Sequence, residues 1–247
     1  MSAENCERIV YWNCLAQSNN AAKIDYIDAI QSEYDPDIIM LTEAPVDLED
    51  ALAARYNTLD MGRSIKGPAG WEGLVVASSE HLLKIERTTP WPIIELSSRY
   101  DAREIVVFDV PIQSGVLAVR ATHVTHPHHL HHPSLNFRRP IEWQENAKEI
   151  QGINEEGKHF AWFADTNTFL ASTVRRKLKL EHNNGVLLDH EGGRTWQRAS
   201  WQPDTLYLDR CAVSKSLKQG GARLITLQRT IGGVICPSDH RPILLQL

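Results

Sequence analysis

Asp165-Thr166-Asn167 closes an apolar, aromatic run that begins at Phe160. In extended backbone, side chains two residues apart point the same way, so Asp165 and Asn167 are expected to converge on one spot with Thr166 turned away. A carboxylate that only accepts hydrogen bonds, beside an amide that donates and accepts, suits a water molecule next to a phosphate. The same residues also suit a strand that ends in an Asx turn, a structural role. Their company favours chemistry. Asn13 ends the run 8–12, Glu43 ends the run 38–42, His123 ends the run 115–122, and Asp239-His240 precedes the last apolar run. Two histidines, three carboxylates and two amides, with no nucleophilic Ser or Cys motif nearby, suit metal-assisted attack of water on a phosphate ester.

These side chains need a scaffold that ends several elements at one edge. Residues 8–13 read as a first strand, dense in β-branched and aromatic residues. Residues 20–34 follow as a helix with Ala22, Tyr26, Ile27 and Ile30 on one stripe, Asn19 or Asn20 as its cap and Asp35-Pro36 as its stop. Residues 37–43 are continuously apolar at their centre, which predicts burial on both faces, as in a sheet covered by helices. Asp47 caps a short helix over 47–56, and the Gly-, Lys-, Arg- and Pro-rich stretch 60–71 reads as a loop.

Residues 72–78 and 81–86 read as adjacent strands, 88–100 as irregular, and 104–110 with 115–122 as a hairpin about Gln113-Ser114-Gly115. A helix over 139–151 leads to the strand 160–164, and a basic helix over 173–180 follows the Asp165–Asn167 turn. Residues 186–205 read as a loop and 205–213 as a strand with Asp209-Arg210 in its middle. A carboxylate buried there needs a partner, because an uncompensated one is strongly destabilising. Residues 222–227 form a further strand, and a polar loop feeds the last one. A packed sheet brings such strand ends to a common edge, where they build one polar pocket.

The segment 123–133 holds six of the chain's eleven histidines. Its spacing is crowded and loop-like, without the helical H-x3-5-H pattern or cysteine partners of a closed zinc site, so a polar loop beside a cleft is expected. With 247 residues, 42% hydrophobic and 23% charged, the chain carries enough apolar material for one large domain over residues 1–247. The net charge of −5 leaves no global basic footprint for long-duplex binding, so phosphates must be met locally or through metal ions. Cys6, Cys14, Cys211 and Cys236 are scattered and form no CxxC, which predicts reduced thiols and an intracellular, cytoplasmic protein. No secretory leader or membrane-length apolar run is visible, so no membrane partner is expected, and the chain reads as a monomer.

Tyr-Trp-Asn13, Ile-Ile-Met-Leu-Thr-Glu43, Glu72-Gly-Leu-Val-Val-Ala-Ser, Ala-Thr-His123, Ala-Asp165-Thr-Asn167, Leu-Asp209-Arg and Ser-Asp239-His240 occur in that order. As a set they resemble the endonuclease/exonuclease/phosphatase, or DNase I-like, superfamily, over nearly the whole chain. The resemblance implies a four-layered α/β sandwich, two mixed β-sheets face to face with helices outside. It implies that Glu43 binds Mg2+ (or Mn2+), with Asn13 close by and Asp239 assisting. Asp165 would position or deprotonate water, Asn167 would hold a phosphate oxygen, and His240, its tautomer fixed by Asp209, would stabilise charge on the phosphoryl group. His123 matches a second histidine of the deoxyribonuclease-like and sphingomyelinase-like branches, and Glu72 the residue that orients it in some deoxyribonucleases.

The expected reaction is hydrolysis of a phosphate ester by in-line attack of water, on DNA or RNA as single strands or ends. Arg139, Arg175 and Arg176 are candidate substrate contacts, and nearby tryptophans suit base stacking. A small phosphorylated metabolite, a lipid head group or a tyrosyl-DNA adduct is the alternative substrate. The chain departs from the family pattern with Ala164 in place of Gly, Thr42 in place of Gln, and Cys14-Leu15 where some endonucleases carry an acid.

Overall fold

The computed structural model describes residues 5–14, 19–45, 47–64, 71–77, 86–87, 105–124, 138–168, 170–196 and 206–247. The first half runs β1 (Arg8–Asn13), α1 (Asn20–Tyr34), β2 (Ile38–Pro45), α2 (Leu48–Ala53), β3 (Asn57–Ser64), β4 (Trp71–Ala77), β5 (Glu86–Arg87), β6 (Ile105–Ile112) and β7 (Gly115–His123). The second half runs α3 (Arg138–Glu155), β8 (His159–Asp165), α4 (Ala171–Lys177), β9 (Gly185–Leu187), β10 (His190–Glu191), β11 (Asp209–Ser214) and α5 (Lys215–Gln219). It ends with β12 (Arg223–Thr226), β13 (Thr230–Ile231), β14 (Val234–Ile235) and β15 (Ile243–Gln246).

Two mixed sheets form the centre. One has the order β10-β12-β15-β1-β2-β4-β3 and the other β5-β6-β7-β8-β11-β9. Strand periodicity explains how they stack. Ile9 and Tyr11 of β1 meet Ile38 and Met40 of β2 and, from the second sheet, Phe108, Val119, Phe163 and Cys211 in the core between the sheets. Val10 and Trp12, on the other face of β1, pack with Tyr26, Ile27 and Ile30 of α1 and Leu48 and Leu52 of α2. Phe160 and Trp162, on the other face of β8, pack with Trp143 and Ile150 of α3 and Val174 of α4. The result is the expected four-layered sandwich. Truncating Trp12, which is wholly buried, is expected to cost about 3–5 kcal/mol.

α1 forms where its apolar stripe predicts. Asn19 caps it by accepting from the Ala21 N–H at 2.8 Å, and Asp35, in left-handed backbone with φ 44, ends it before Pro36. Four expectations are corrected. Residues 60–64 of the stretch read as a loop over 60–71 belong to β3, whose polar sequence is tolerated at a sheet edge where, among the described residues, it pairs with β4 alone; residues 65–70 lie outside the described residues. β9 and β10 lie inside the stretch read as a loop over 186–205. β11 begins at Asp209 rather than carrying it in mid-strand, because Leu206 is held only by an isolated bridge to Trp196. α5 and the β13–β14 hairpin were not anticipated. The strand expected over 81–86, apart from Glu86, lies outside the described residues, as do the irregular stretch 88–100 and the His-rich segment beyond Val124. Among the described residues no helix is long and apolar enough to cross a membrane.

Candidate active site

Register brings the polar strand ends together. β1 and β2 run parallel with Asn13 beside Thr42, and β7 and β8 run parallel with His123 beside Asp165. β11 runs antiparallel to β8, so its first residue, Asp209, lies across from the last residue of β8, Asp165. On each strand the alternation that sends Tyr11 or Phe163 into the inter-sheet core sends Asn13 or Asp165 to the same side, one pleat further on. The two sheets then meet through a side chain: Asn13 Nδ2 donates to Asp165 Oδ2 at 3.3 Å.

His240 completes this edge. Its Nδ1–H donates to Asp209 Oδ2 at 2.8 Å, while its Nε2 lies 3.7 Å from Asp165 Oδ2 and 3.9 Å from Asp239 Oδ1. Burial opposes charge on the imidazole, but Asp209, Asp165 and Asp239 outweigh it, and the pKa is pushed up to about 10. Burial also raises the Asp209 carboxyl, against the pull of His240. The pair therefore holds its proton firmly at neutral pH, with Nε2–H aimed at the space in front of Asp165. The backbone around it is fixed from three sides: Trp12 Nε1 donates to His240 O at 3.1 Å, the His240 N–H donates to Ser238 Oγ at 3.1 Å, and Ser238 Oγ donates to Asn13 O at 2.8 Å.

Glu43 follows Thr42, the strand partner of Asn13, at an irregularity of β2. Strict alternation would place it with Ile39 and Leu41 on the helix-covered face. Between Leu41 and Ala44 the register against β4 shifts, and Glu43 takes φ 54, the left-handed region that non-glycine residues seldom adopt. A bulge of this kind re-aims side chains next to functional sites. It leaves both Leu41 and Ala44 in the helix-side core, with Thr42 and Glu43 accommodated between them.

The Asp165–Asn167 turn differs from the extended geometry expected. The strand ends at Asp165, Asn167 has φ 44, and its N–H donates back to Asp165 Oδ1 at 3.0 Å. This is an Asx turn, so the structural reading and the chemical one hold together. Asn167 Nδ2 donates to Val124 O at 2.8 Å, which sets the amide beside the end of β7. Thr166 turns away, as expected, and its hydroxyl donates to Leu208 O at 2.8 Å.

Several supporting residues were not anticipated. Tyr11 Oη, fully buried, accepts the Asp165 N–H at 2.9 Å and lies 3.2 Å from Thr42 Oγ1, tying three strands together under the site. Its position two residues before Asn13 was the available signal. Trp196 Nε1 donates to Asp239 Oδ2 at 2.9 Å, and Arg229 holds the carbonyls of Ser238 and Asp239 at 2.8 and 3.2 Å. Thr195 Oγ1 accepts the Asp209 N–H at 3.2 Å. Nothing in the local sequence marks these three.

The remaining candidates are placed by their backbones or lie elsewhere. Glu72 sits in β4 opposite Ala44, one residue past Glu43, and Arg139 lies in the first turn of α3. Arg175 and Arg176 line a groove between α3 and α4, on the outer face of the second sheet rather than at the polar edge.

Among the described residues no three His, Cys, Asp or Glu side chains form a ready-made metal cage. The donor set nevertheless fits a hard divalent cation, which takes one or two carboxylates and fills its shell with water and substrate oxygens. Among the described residues Asp209 Oδ1 and Asp239 Oδ1 are buried acceptors without a hydrogen-bond partner, and Glu43, near the end of β2, is a further buried carboxylate.

Comparison with known proteins agrees with this geometry. The sequence signature of the Endonuclease/Exonuclease/phosphatase family matches residues 10–240. Truncated Caenorhabditis elegans TDP2 is 17% identical, covers 97% of this chain and 96% of its own, and superposes with a TM-score of 0.66. D. rerio TDP2 complexed with single strand DNA product is 15% identical, with 98% of each chain covered and a TM-score of 0.65. The Bacteroides thetaiotaomicron mannosyl-6-phosphatase Bt3783 is 14% identical, covers 97% of this chain and 98% of its own, and has a TM-score of 0.65. No curated protein sequence matches the chain. The chain belongs to the endonuclease/exonuclease/phosphatase family and is a phosphoester hydrolase.

Proposed function

We propose that the protein is a Mg2+-dependent phosphodiesterase that cleaves nucleic acid strands at single-stranded regions or ends. One observation carries the reading: Asp165 is gripped by Asn13 and the Asn167 N–H while His240 Nε2 stands 3.7 Å away. A carboxylate so held keeps a fixed acceptor for a water proton, and the imidazolium faces the oxygens that gain charge as the water attacks phosphorus. Asp165 orients or deprotonates the water. The P–O bond opposite the incoming oxygen breaks, the departing alkoxide takes a proton from solvent water, and Asp165 returns the proton it accepted to solvent. His240 donates to a non-bridging oxygen, Asp209 keeps it charged and aligned, and Asn167, set by Val124, contacts a second phosphate oxygen. Glu43, with Asn13 and Asp239, would hold the divalent cation, which when bound neutralises charge on the phosphate. His123 and Glu72 are proposed to assist at the same edge, and Arg139 to contact substrate.

The likeness to a TDP2 complexed with single strand DNA product supports a strand substrate. The likeness to a mannosyl-6-phosphatase supports a second reading, a small phosphorylated metabolite. The four buried free thiols fit a reducing compartment such as the cytoplasm. Purified protein is to be incubated with labelled single- and double-stranded DNA and RNA, 5′-tyrosyl DNA, and a panel of sugar phosphates, with Mg2+ or EDTA. Metal-dependent shortening of single strands is expected. Turnover of sugar phosphates with no strand cleaved would replace the nuclease reading by the second one.

A further inference from the structure

A groove of about 1000 Å3 separates α3 from α4; Arg175, Arg176, Lys179 and His182 line it together with two carboxylates, Glu155 and Glu181. A smaller hollow of about 350 Å3 continues it past Lys148, Lys177 and Trp143, sharing Gln151, Arg176 and Lys179. Arg175, Arg176, Lys177 and Lys179 are exposed and have no ion-pair partner among the described residues. Arg55, Arg120, Lys158 and Arg223 each face a carboxylate, whereas Arg194, Lys215 and Lys218, like the groove cations, are exposed and have no ion pair among the described residues. The C-terminal end of α4 favours cations, which accounts for Arg175 to Lys177 but not for Lys179 beyond the helix. The floor is held in place. Asn154 Nδ2 donates to Asn183 O, and Asn183 Nδ2 donates to Ala147 O at 3.1 Å and to Leu178 O at 2.9 Å, stitching α3 to the turn after α4.

We infer that this groove is a track for the sugar–phosphate backbone of a nucleic acid strand lying outside the catalytic edge. Distributed, solvated cations on long stems hold a polyanion without reading its bases, whereas an isolated phosphate calls for a convergent, buried site. The groove is also within reach. Only residues 166–170 separate Asp165 from α4, at most about 20 Å of extended chain. A strand cleaved at Asp165 can thus run onto α4. With a net charge of −5, a strand is to be met by local positive surfaces, and this groove gathers four exposed cations within five residues, 175–179.

This inference rests on the nucleic-acid reading, so binding and cleavage are scored separately. Anisotropy of a fluorescein-labelled single strand in EDTA is to be followed across salt for the wild type and for Arg175→Glu/Arg176→Glu/Lys179→Glu. The variant is expected to bind at least about tenfold more weakly at low salt, with a log–log salt slope smaller by about 2. The milder Arg175→Gln/Lys179→Gln should fall between the two. With Mg2+, the advantage of long over very short strands in kcat/KM should shrink in the same order. Affinity and slope within twofold of the wild type in both variants would overturn the track, even if cleavage persists. Strand binding that the variants weaken, with no cleavage by any protein, keeps the track and defeats the nuclease reading. Capture of phosphatidylserine vesicles instead of strands, lost in the variants, would assign the groove to a membrane surface and overturn the proposal.

Discussion

The second sheet carries two buried polar clusters, and they are built on opposite principles. Near the start of β8, Asp109 meets Arg120 NH1 at 3.3 Å and Lys158 Nζ at 2.8 Å, while Arg120 Nε donates to Glu149 Oε1 at 2.8 Å. Lys158 also meets Glu156 at 2.8 Å, so three carboxylates face two cations, and Arg120 further donates to the carbonyls of Phe108 and Val119. At the end of β8, Asp165, Asp209 and Asp239 share one histidine, and two of their oxygens lack a hydrogen-bond partner. In the first cluster every carboxylate faces a cation directly. The second sets three carboxylates around a single imidazole among the described residues, an arrangement that suits a cation and a substrate.

Substitutions should separate the two. Asp209→Asn removes the anion that keeps His240 protonated and aligned, so kcat is expected to fall by roughly 10^3–10^4, as loss of the orienting carboxylate does in other histidine-dependent enzymes. The melting temperature should hold or rise, since a costly buried charge is gone. Arg120→Met should do the reverse. It leaves Asp109 and Glu149 without their shared cation and is expected to cost about 3–5 kcal/mol in denaturant unfolding, with kcat of the folded fraction unchanged. An Asp209→Asn protein that unfolds early, or an Arg120→Met protein that folds normally and loses activity, would erase the contrast.

Two histidines sharpen it. His240 sits among carboxylates and is held charged, whereas burial next to Arg210 pushes the His190 pKa down to about 3. His190 Nδ1 donates to Thr226 Oγ1 at 2.9 Å and its ring lies against Tyr207. The folded protein keeps His190 neutral, while the unfolded chain takes up a proton near pH 6.5. Its contribution is therefore complete above about pH 6.5 and is lost as pH falls from there toward 3, on the order of 2 kcal/mol by pH 5. His190→Gln should remove that slope between pH 7 and pH 5, and a slope identical to the wild type would contradict the assignment. The smallest expected effect belongs to Tyr11→Phe. It leaves the buried Asp165 N–H without its acceptor, costing about 1–3 kcal/mol, and should lower kcat more than it raises KM because Asp165 is displaced.

The sequence was most informative where burial is one-sided or complete. The runs ending in Asn13, Glu43 and Asp165 are apolar enough to declare themselves as strands, and their polar termini stand out against them. It was least informative where pairing, not composition, decides. β3 is polar because it is an edge, and Asp209 looks central to a strand that in fact begins with it. The bulge at Glu43 is a backbone event with no residue signature, since Glu is an unusual occupant of φ 54. Trp196 and Arg229 act through contacts more than 30 residues and 9 residues away, respectively, along irregular chain.

The central claim is that the polar edge gathers a divalent cation through Glu43 and cleaves a phosphodiester beside it. Mn2+ binding followed by electron paramagnetic resonance, in parallel with hydrolysis of a single-stranded oligonucleotide, tests it for the wild type and Glu43→Gln. The expected result is saturable Mn2+ binding by the wild type, weakened at least about tenfold in Glu43→Gln, with cleavage lost in proportion. Cleavage that survives EDTA, or Mn2+ binding that Glu43→Gln leaves unchanged, would contradict it.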